Sequence, residues 1–85
     1  MIQQTRAYST AALGLAIAQA RRAAGLTVDQ AAERSGISRR HLLDLEHGKK
    51  KPLITTLADV ADGLGIPLGL LAERGWIAVE PPQLP

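Results

Sequence analysis

Arg39 and Arg40 stand together directly after Ser38, in the run Ser-Gly-Ile-Ser-Arg-Arg-His-Leu-Leu-Asp-Leu-Glu-His-Gly of residues 35–48. A guanidinium presents a fork of donors that matches the O6 and N7 acceptors of guanine, and such a bidentate pair discriminates between bases by ~1–3 kcal/mol. Two arginines at the N-terminal end of a helix are placed to reach base edges in a DNA major groove. Lys49, Lys50 and Lys51 follow at once, where phosphates neighbouring those bases would pass. The chemistry on offer is recognition of a polyanion. No Ser/His/Asp or Cys/His set, Gly-rich phosphate loop or pair of carboxylates in an apolar cleft accompanies these residues. His41 and His47 lack partners at metal-ligand spacing. Neither an enzyme, a metal site nor a cofactor is therefore read from the chain.

Charge distribution points the same way. The net charge is only +2, but residues 34–51 carry a net +4 and residues 52–85 a net −3. A basic middle beside an acidic last third implies one surface for a polyanion and another facing elsewhere. Eighty-five residues suit one small domain with a modest core, and with no cysteine nothing covalent reinforces it. Ala and Leu dominate and Phe is absent, which favours close-packed helices over a sheet. No apolar run is long enough to span a bilayer and the start is no signal peptide, so the expectation is a cytoplasmic protein with no membrane partner.

The elements that must position the arginines follow from periodicity and caps. Residues 1–8 show none and read as a loose arm. Ser9 or Thr10 caps a first helix with Leu13, Ile17, Ala20 and Ala24 on one stripe, ended by Gly25. Thr27 and Gln30 form a capping-box pattern that opens a short second helix, with Ala31 and Ala32 inward and Asp29, Glu33 and Arg34 outward. Gly36 stops it, Ser38 caps a third helix with Leu42 and Leu45 inward, and Gly48 ends that one. Leu57, Val60, Ala61 and Leu64 mark a fourth helix, and Pro67 can occupy the first position of a fifth with Leu68, Leu71 and Ala72 inward. Residues 9–75 thus form the domain. Residues 76–85 are a tail, apolar and short or extended at first, then proline-rich and irregular.

Counted from Val28, a small residue comes four later (Ala32), a glycine eight later (Gly36), and apolar residues fourteen and seventeen later (Leu42, Leu45). These are the packing and turn requirements of two helices crossing closely at a tight turn, with the second presented to a groove. On these residues, with Ala-Arg-Arg-Ala-Ala-Gly-Leu-Thr (20–27), Leu-Glu-His-Gly-Lys (45–49), Pro52, Leu57, Ala61, Leu64-Gly65 and Leu71, the stretch from about Leu13 to Leu71 resembles the phage-repressor (Cro-like, XRE-type) helix-turn-helix family. The resemblance implies an all-α, five-helix, lambda-repressor-like domain. It further implies a transcriptional regulator of the repressor kind that binds double-stranded DNA as a homodimer on a palindromic operator.

The resemblance assigns Arg39, Arg40, Leu43 and Asp44 to base edges, and Thr27, Val28, Ser38, His41, His47, Lys49 and Lys51 to phosphates. Each arginine has the alternative of touching phosphate alone. Leu43 has that of packing at the groove edge. Asp44, four residues after Arg40, has that of orienting it. Arg21 and Glu46 correspond to an ion pair that braces the recognition helix. The chain departs from the family at Val28, where a polar residue is usual, at Ala31, where a Leu is usual, and at Leu53 and Pro67, where cap hydroxyls are common. Trp76, Ile77 and Val79 exceed what a small core needs. They either cover the open end of the bundle, form a dimer contact or hold another protein. Two further roles therefore stand beside the regulator: an antitoxin-type protein with a toxin-like partner, and a protein-binding adaptor without a DNA role.

Overall fold

The computed structural model describes residues 5–79. Five helices follow one another, α1 (Thr10–Ala23), α2 (Val28–Ser35), α3 (Arg39–Glu46), α4 (Ile54–Leu64) and α5 (Leu68–Glu73), between strands β1 (Thr5–Tyr8) and β2 (Trp76–Val79). No helix among the described residues is long and apolar enough to cross a membrane.

Local chemistry sets the helix starts. Ser9 accepts from the Ala12 N–H and caps α1. Thr27 and Gln30 complete a reciprocal capping box on α2, at 2.9 and 3.1 Å. Ser38 accepts from the His41 N–H and caps α3. Leu53 and Pro67 stand before α4 and α5 with no side-chain cap, so these two helices depend more on packing. Pro67 is one residue earlier than expected, outside the helix rather than in its first turn. Gly36 ends α2 in the left-handed region, φ 69°, which turns the chain into Ser38 without steric cost.

α1 packs on α3 and α2 on α4, with α5 closing against α4 and α1. The core joins Leu13, Ala16 and Ile17 of α1 to Ala31 and Ala32 of α2, Leu42 and Leu45 of α3, Leu57, Val60, Ala61 and Leu64 of α4, and Leu71 of α5. The alanines remove little apolar surface from water, so stabilisation falls on the larger side chains at ~1.5–3 kcal/mol each. Their value is closeness. Gly14 takes this furthest: a Cβ there would meet the Leu45 carbonyl at 2.6 Å and crowd that of Glu46. α1 can therefore lie against the C-terminal end of α3 only without a side chain at 14.

The all-α expectation requires correction. β1 and β2 pair antiparallel, with Tyr8 opposite Trp76 and Thr5 opposite Val79. The loose arm expected over residues 1–8 is thus a strand from Thr5 on; residues 1–4 lie outside the described residues, as do 80–85, on which the expectation of an irregular proline-rich end falls. Composition favours β structure in Trp-Ile-Ala-Val, but its partner comes from the other end of the sequence, where no local pattern announces it. The ribbon is pinned by side chains. The Tyr8 hydroxyl donates to the Ala72 carbonyl at 3.0 Å, and its ring meets Trp76 edge-on with centroids 5.1 Å apart. Arg6 lies over the Trp76 ring at 4.8 Å and pairs with Glu73 at 3.2 Å. The Ser9 N–H donates to the Gly75 carbonyl at 2.8 Å, tying the strand ends to the helices.

Two outcomes are expected. Gly14→Ala should lower stability by ~1–3 kcal/mol through overpacking, whereas Gly69→Ala should raise it by about 0.5–1 kcal/mol, because a Cβ at Gly69 meets nothing within 4 Å. Thermal unfolding of the two variants checks the contrast, and equal shifts contradict it. Burial also raises the pKa of Tyr8 above the ordinary 10.0, since the phenolate is the form that desolvation disfavours. A raised folded-state pKa gives stabilisation that is complete below the unfolded value and lost as pH climbs through the folded one. Tyr8 is the single tyrosine and Trp76 the single tryptophan. Tyrosinate absorbance should therefore rise at higher pH in the native protein than in the urea-unfolded chain, with Trp76 fluorescence changing in step. Coincident titrations contradict this.

Candidate nucleic-acid interface

α3 is the element that offers side chains outward. Arg39 and Arg40 are exposed in its first turn and Leu43, one turn on, is half-buried, while Leu42 and Leu45 face the core. His41 is half-buried, and its backbone N–H is taken by the Ser38 cap. The N–H groups of Arg39 and Arg40 are left as the open first turn of the helix. α2 repeats the arrangement. The Thr27 N–H is held by Gln30 and the Gln30 N–H by Thr27, so those of Val28 and Asp29 are the ones turned out for an anion. Val28 itself is half-buried against the core. His47, Lys49 and Lys51 are exposed after α3.

Two carboxylates modify this surface in ways the sequence did not reveal. Arg39 Nη1 lies 3.4 Å from Asp29 Oδ1, joining the first turns of α3 and α2. Asp44 is buried and lies 3.5 Å from Lys50 Nζ. The expected pairing of Asp44 with Arg40 does not form, and Asp44 is turned into the α3–α4 loop rather than out towards a groove. The i, i+4 spacing suggested otherwise, but the lysine run folds back and brings Lys50 to the carboxylate. The helical pattern marks Asp29 only as outward-facing, and its place across the turn from Arg39 follows from the helix-turn-helix spacing. Thr10 adds a contact at the other end of α3. Its hydroxyl donates to the Gly48 carbonyl at 3.0 Å, securing the end of α3 to the start of α1.

Arg21 and Glu46 meet in the fork-to-fork geometry that suits guanidinium and carboxylate, with Nε to Oε2 at 2.8 Å and Nη2 to Oε1 at 3.0 Å. Arg21 Nη1 also donates to the Leu26 carbonyl at 3.1 Å. Only 12% and 5% of the two side chains are exposed. The hydrogen bonds to Glu46 push the Arg21 pKa up, against burial that would lower it, so the guanidinium keeps its charge.

Trp76, Ile77 and Val79 remain exposed in β2. Alternation puts Trp76 with Arg6 and Tyr8 on one face of the ribbon, and Ile77 and Val79 with Ala7 on the other. Sequence reasoning missed further exposed apolar side chains, Leu53 and Ile54 ahead of and at the start of α4 and Leu70 of α5, which are 74%, 66% and 48% exposed. Beside Ile54 runs an apolar groove of about 330 Å³ lined by Tyr8, Leu13, Lys51, Pro52 and Leu57.

A helix-turn-helix family model (HTH_3) matches residues 17–71, from α1 to α5. The chain belongs to the helix-turn-helix family HTH_3. It is a DNA-binding transcription regulator of the XRE type. A Sinorhizobium fredii protein described as an uncharacterized HTH-type transcriptional regulator is 39% identical over 54 residues, covering 64% of this chain and 70% of its own. Among solved structures, the clp gene regulator ClgR from Corynebacterium glutamicum is similar with a TM-score of 0.72 and 32% identity, over 78% of this chain and 86% of that one. The restriction-modification controller protein C.AhdI from Aeromonas hydrophila shares the fold, with a TM-score of 0.71 and 24% identity over 73% and 94% of the two chains. Within this HTH_3 protein, α2 and α3 are the helix-turn-helix pair and α3 is its second helix.

Arg21→Ala leaves Glu46 charged and buried without its partner, a change that costs ~3–5 kcal/mol. Urea unfolding should place Arg21→Ala that far below wild type, while Arg22→Ala, at an exposed neighbour, should stay within about 0.5 kcal/mol. Similar losses in both would remove the brace from the account of stability.

Proposed function

We propose that this HTH_3 regulator is a repressor that binds a palindromic, guanine-containing operator as a homodimer, with α3 of each copy in the major groove. One observation carries the reading: α3 begins at a Ser38 cap with two exposed, adjacent arginines in its first turn. In this reading Arg39 and Arg40 take guanine edges and Leu43 lies against a base methyl or the groove wall. The N-terminal ends of α2 and α3, from Thr27, Val28 and Ser38, hold phosphates with His47, Lys49 and Lys51, and His41 joins them through its side chain. Asp44 is given no base, because its carboxylate is buried beside Lys50.

Dimerisation is proposed because one helix with two or three base contacts confers little specificity. Two copies on half-sites about one helical turn, ~34–36 Å, apart multiply it. Exposed Trp76, Ile77 and Val79 support the ribbon as the contact between copies. Residues 9–75 then act as the DNA-binding domain, and Trp76, Ile77 and Val79 at the start of the tail as part of the interface. Cytoplasmic residence follows from the DNA-binding role.

Selection of bound duplexes from a random pool at physiological salt tests this. A palindromic motif with guanine in each half-site is expected, its halves about 10–10.5 base pairs apart, together with a dimer in sedimentation of the complex. On that motif, Arg40→Ala should relax preference at one base pair. Lys49→Ala should weaken motif and random DNA alike and flatten the salt dependence by about one unit of slope. No enriched motif, or identical losses on both DNAs for both variants, overturns the reading.

A further inference from the structure

We infer that Asp29 is the positioning residue for Arg39, holding its guanidinium across the turn so that the remaining donors of the fork face a base. The inference rests on the base-reading role proposed for Arg39 and adds to it a residue on the other helix.

The carboxylate is otherwise out of place. Asp29 lies in the first turn of α2, at the end whose open N–H groups suit a phosphate, and a bare carboxylate there repels the DNA backbone. A negative side chain does interact well with the N-terminal end of a helix, but that accounts for the charge and not for its partner. Asp29 Oδ1 lies 3.4 Å from Arg39 Nη1. The two side chains are 77% and 59% exposed, and exposed ion pairs add little to folding stability, so the fold does not require this one. Its consequence is geometric. Arg39 stands on a long, freely rotating stem, and one anchored donor restricts the orientation of the guanidinium plane. Arginine has five N–H donors, and a guanine edge uses two of them, so the anchor leaves a complete fork for O6 and N7. Val28, on the same turn, has no polar group to do this. Arg40, next in sequence, has no carboxylate partner among the described residues and no comparable tether. Within the groove, where water is displaced, the Asp29–Arg39 contact strengthens. It also neutralises the carboxylate towards the neighbouring phosphates.

The arrangement has a signature that a role in folding lacks. Removing Asp29 frees Arg39 to reach for phosphates and takes away a repulsive charge, so affinity for random DNA holds or rises while discrimination falls. The experiment uses the full chain, the duplex chosen by selection from a random pool, its single-base variants and a random-sequence duplex. Asp29→Ala is expected to lose about tenfold of the preference at one base pair, a coupling of ordinary size for residues in contact. That pair is the one at which Arg39→Ala also loses preference. The double variant should be no less selective there than Arg39→Ala alone, and Asp29→Glu should recover part of the preference. Asp29→Glu, which keeps the charge at the start of α2, should melt with wild type, and Asp29→Ala should fall by no more than the few degrees that losing a helix-start charge costs. An unchanged preference in Asp29→Ala overturns the inference while leaving base reading by Arg39 standing. So does a loss at a different base pair, or an equal loss on selected and random DNA with a fall in melting temperature beyond those few degrees. If the wild-type chain prefers no sequence at all, the base-reading proposal fails and this inference fails with it.

Discussion

The Arg21–Glu46 ion pair is the contact on which the placement of the recognition surface depends. A charge taken out of water must be matched in geometry as well as in sign, because a misaligned partner leaves most of its desolvation cost uncompensated. Glu46 is the last residue of α3 and Arg21 lies in the last turn of α1, so satisfying one charge fixes one helix against the other. The third guanidinium nitrogen, bound to the Leu26 carbonyl, extends the constraint into the connection that leads to α2. Gly14 makes it physically possible, since α1 could not approach the end of α3 with a side chain there. Thr10 ties Gly48 from the opposite end of α1. α3 is thus held along its inner side by Leu42 and Leu45 and at its C-terminal end by polar contacts, while its N-terminal turn keeps Arg39 and Arg40 exposed.

That division explains how a domain with a thin core presents a defined surface. Four of the buried apolar residues of the core are alanines, so apolar burial alone would leave the helices free to shift by small amounts. Directional contacts supply the definition: the capping box at Thr27, the caps at Ser9 and Ser38, the forked ion pair, and the glycine contact. The outward surface is organised differently. Among the described residues, Arg39 and Lys50 each have a carboxylate, while Arg40, Lys49 and Lys51 have none. Positive charge that is unmatched within the protein is what a phosphate backbone attracts, and its strength falls with added salt. Charge matched by Asp29 or Asp44 is instead fixed in direction.

The ribbon joins the two ends of the described chain. A two-stranded sheet alone is marginal in water, and this one persists through its attachments: Tyr8 to Ala72, Arg6 to Glu73 and Trp76, and Ser9 to Gly75. Its outer face keeps Ile77 and Val79 exposed. Like Leu53, Ile54 and Leu70 on the helices, they are exposed apolar side chains of the kind that contacts between proteins cover.

The helices and the turn were legible in the sequence because their determinants are local. A serine or threonine cap acts within three residues, a left-handed glycine at its own position, and an apolar stripe over two turns. The family motifs placed Arg21 with Glu46 and put Arg39 and Arg40 at the start of the recognition helix for the same reason: the spacing of a helix-turn-helix is short and rigid. Three matters were decided only by tertiary structure. The pairing of Thr5–Tyr8 with Trp76–Val79 joins segments from opposite ends, and strand pairing has no local signature of its partner. The carboxylates of Asp29 and Asp44 found Arg39 and Lys50 because a long cationic side chain chooses among neighbours in space, not along the helix. And the exposure of Leu53, Ile54 and Leu70 depended on how α4 and α5 close on the bundle, since an apolar residue at a helix start reads the same whether or not anything covers it.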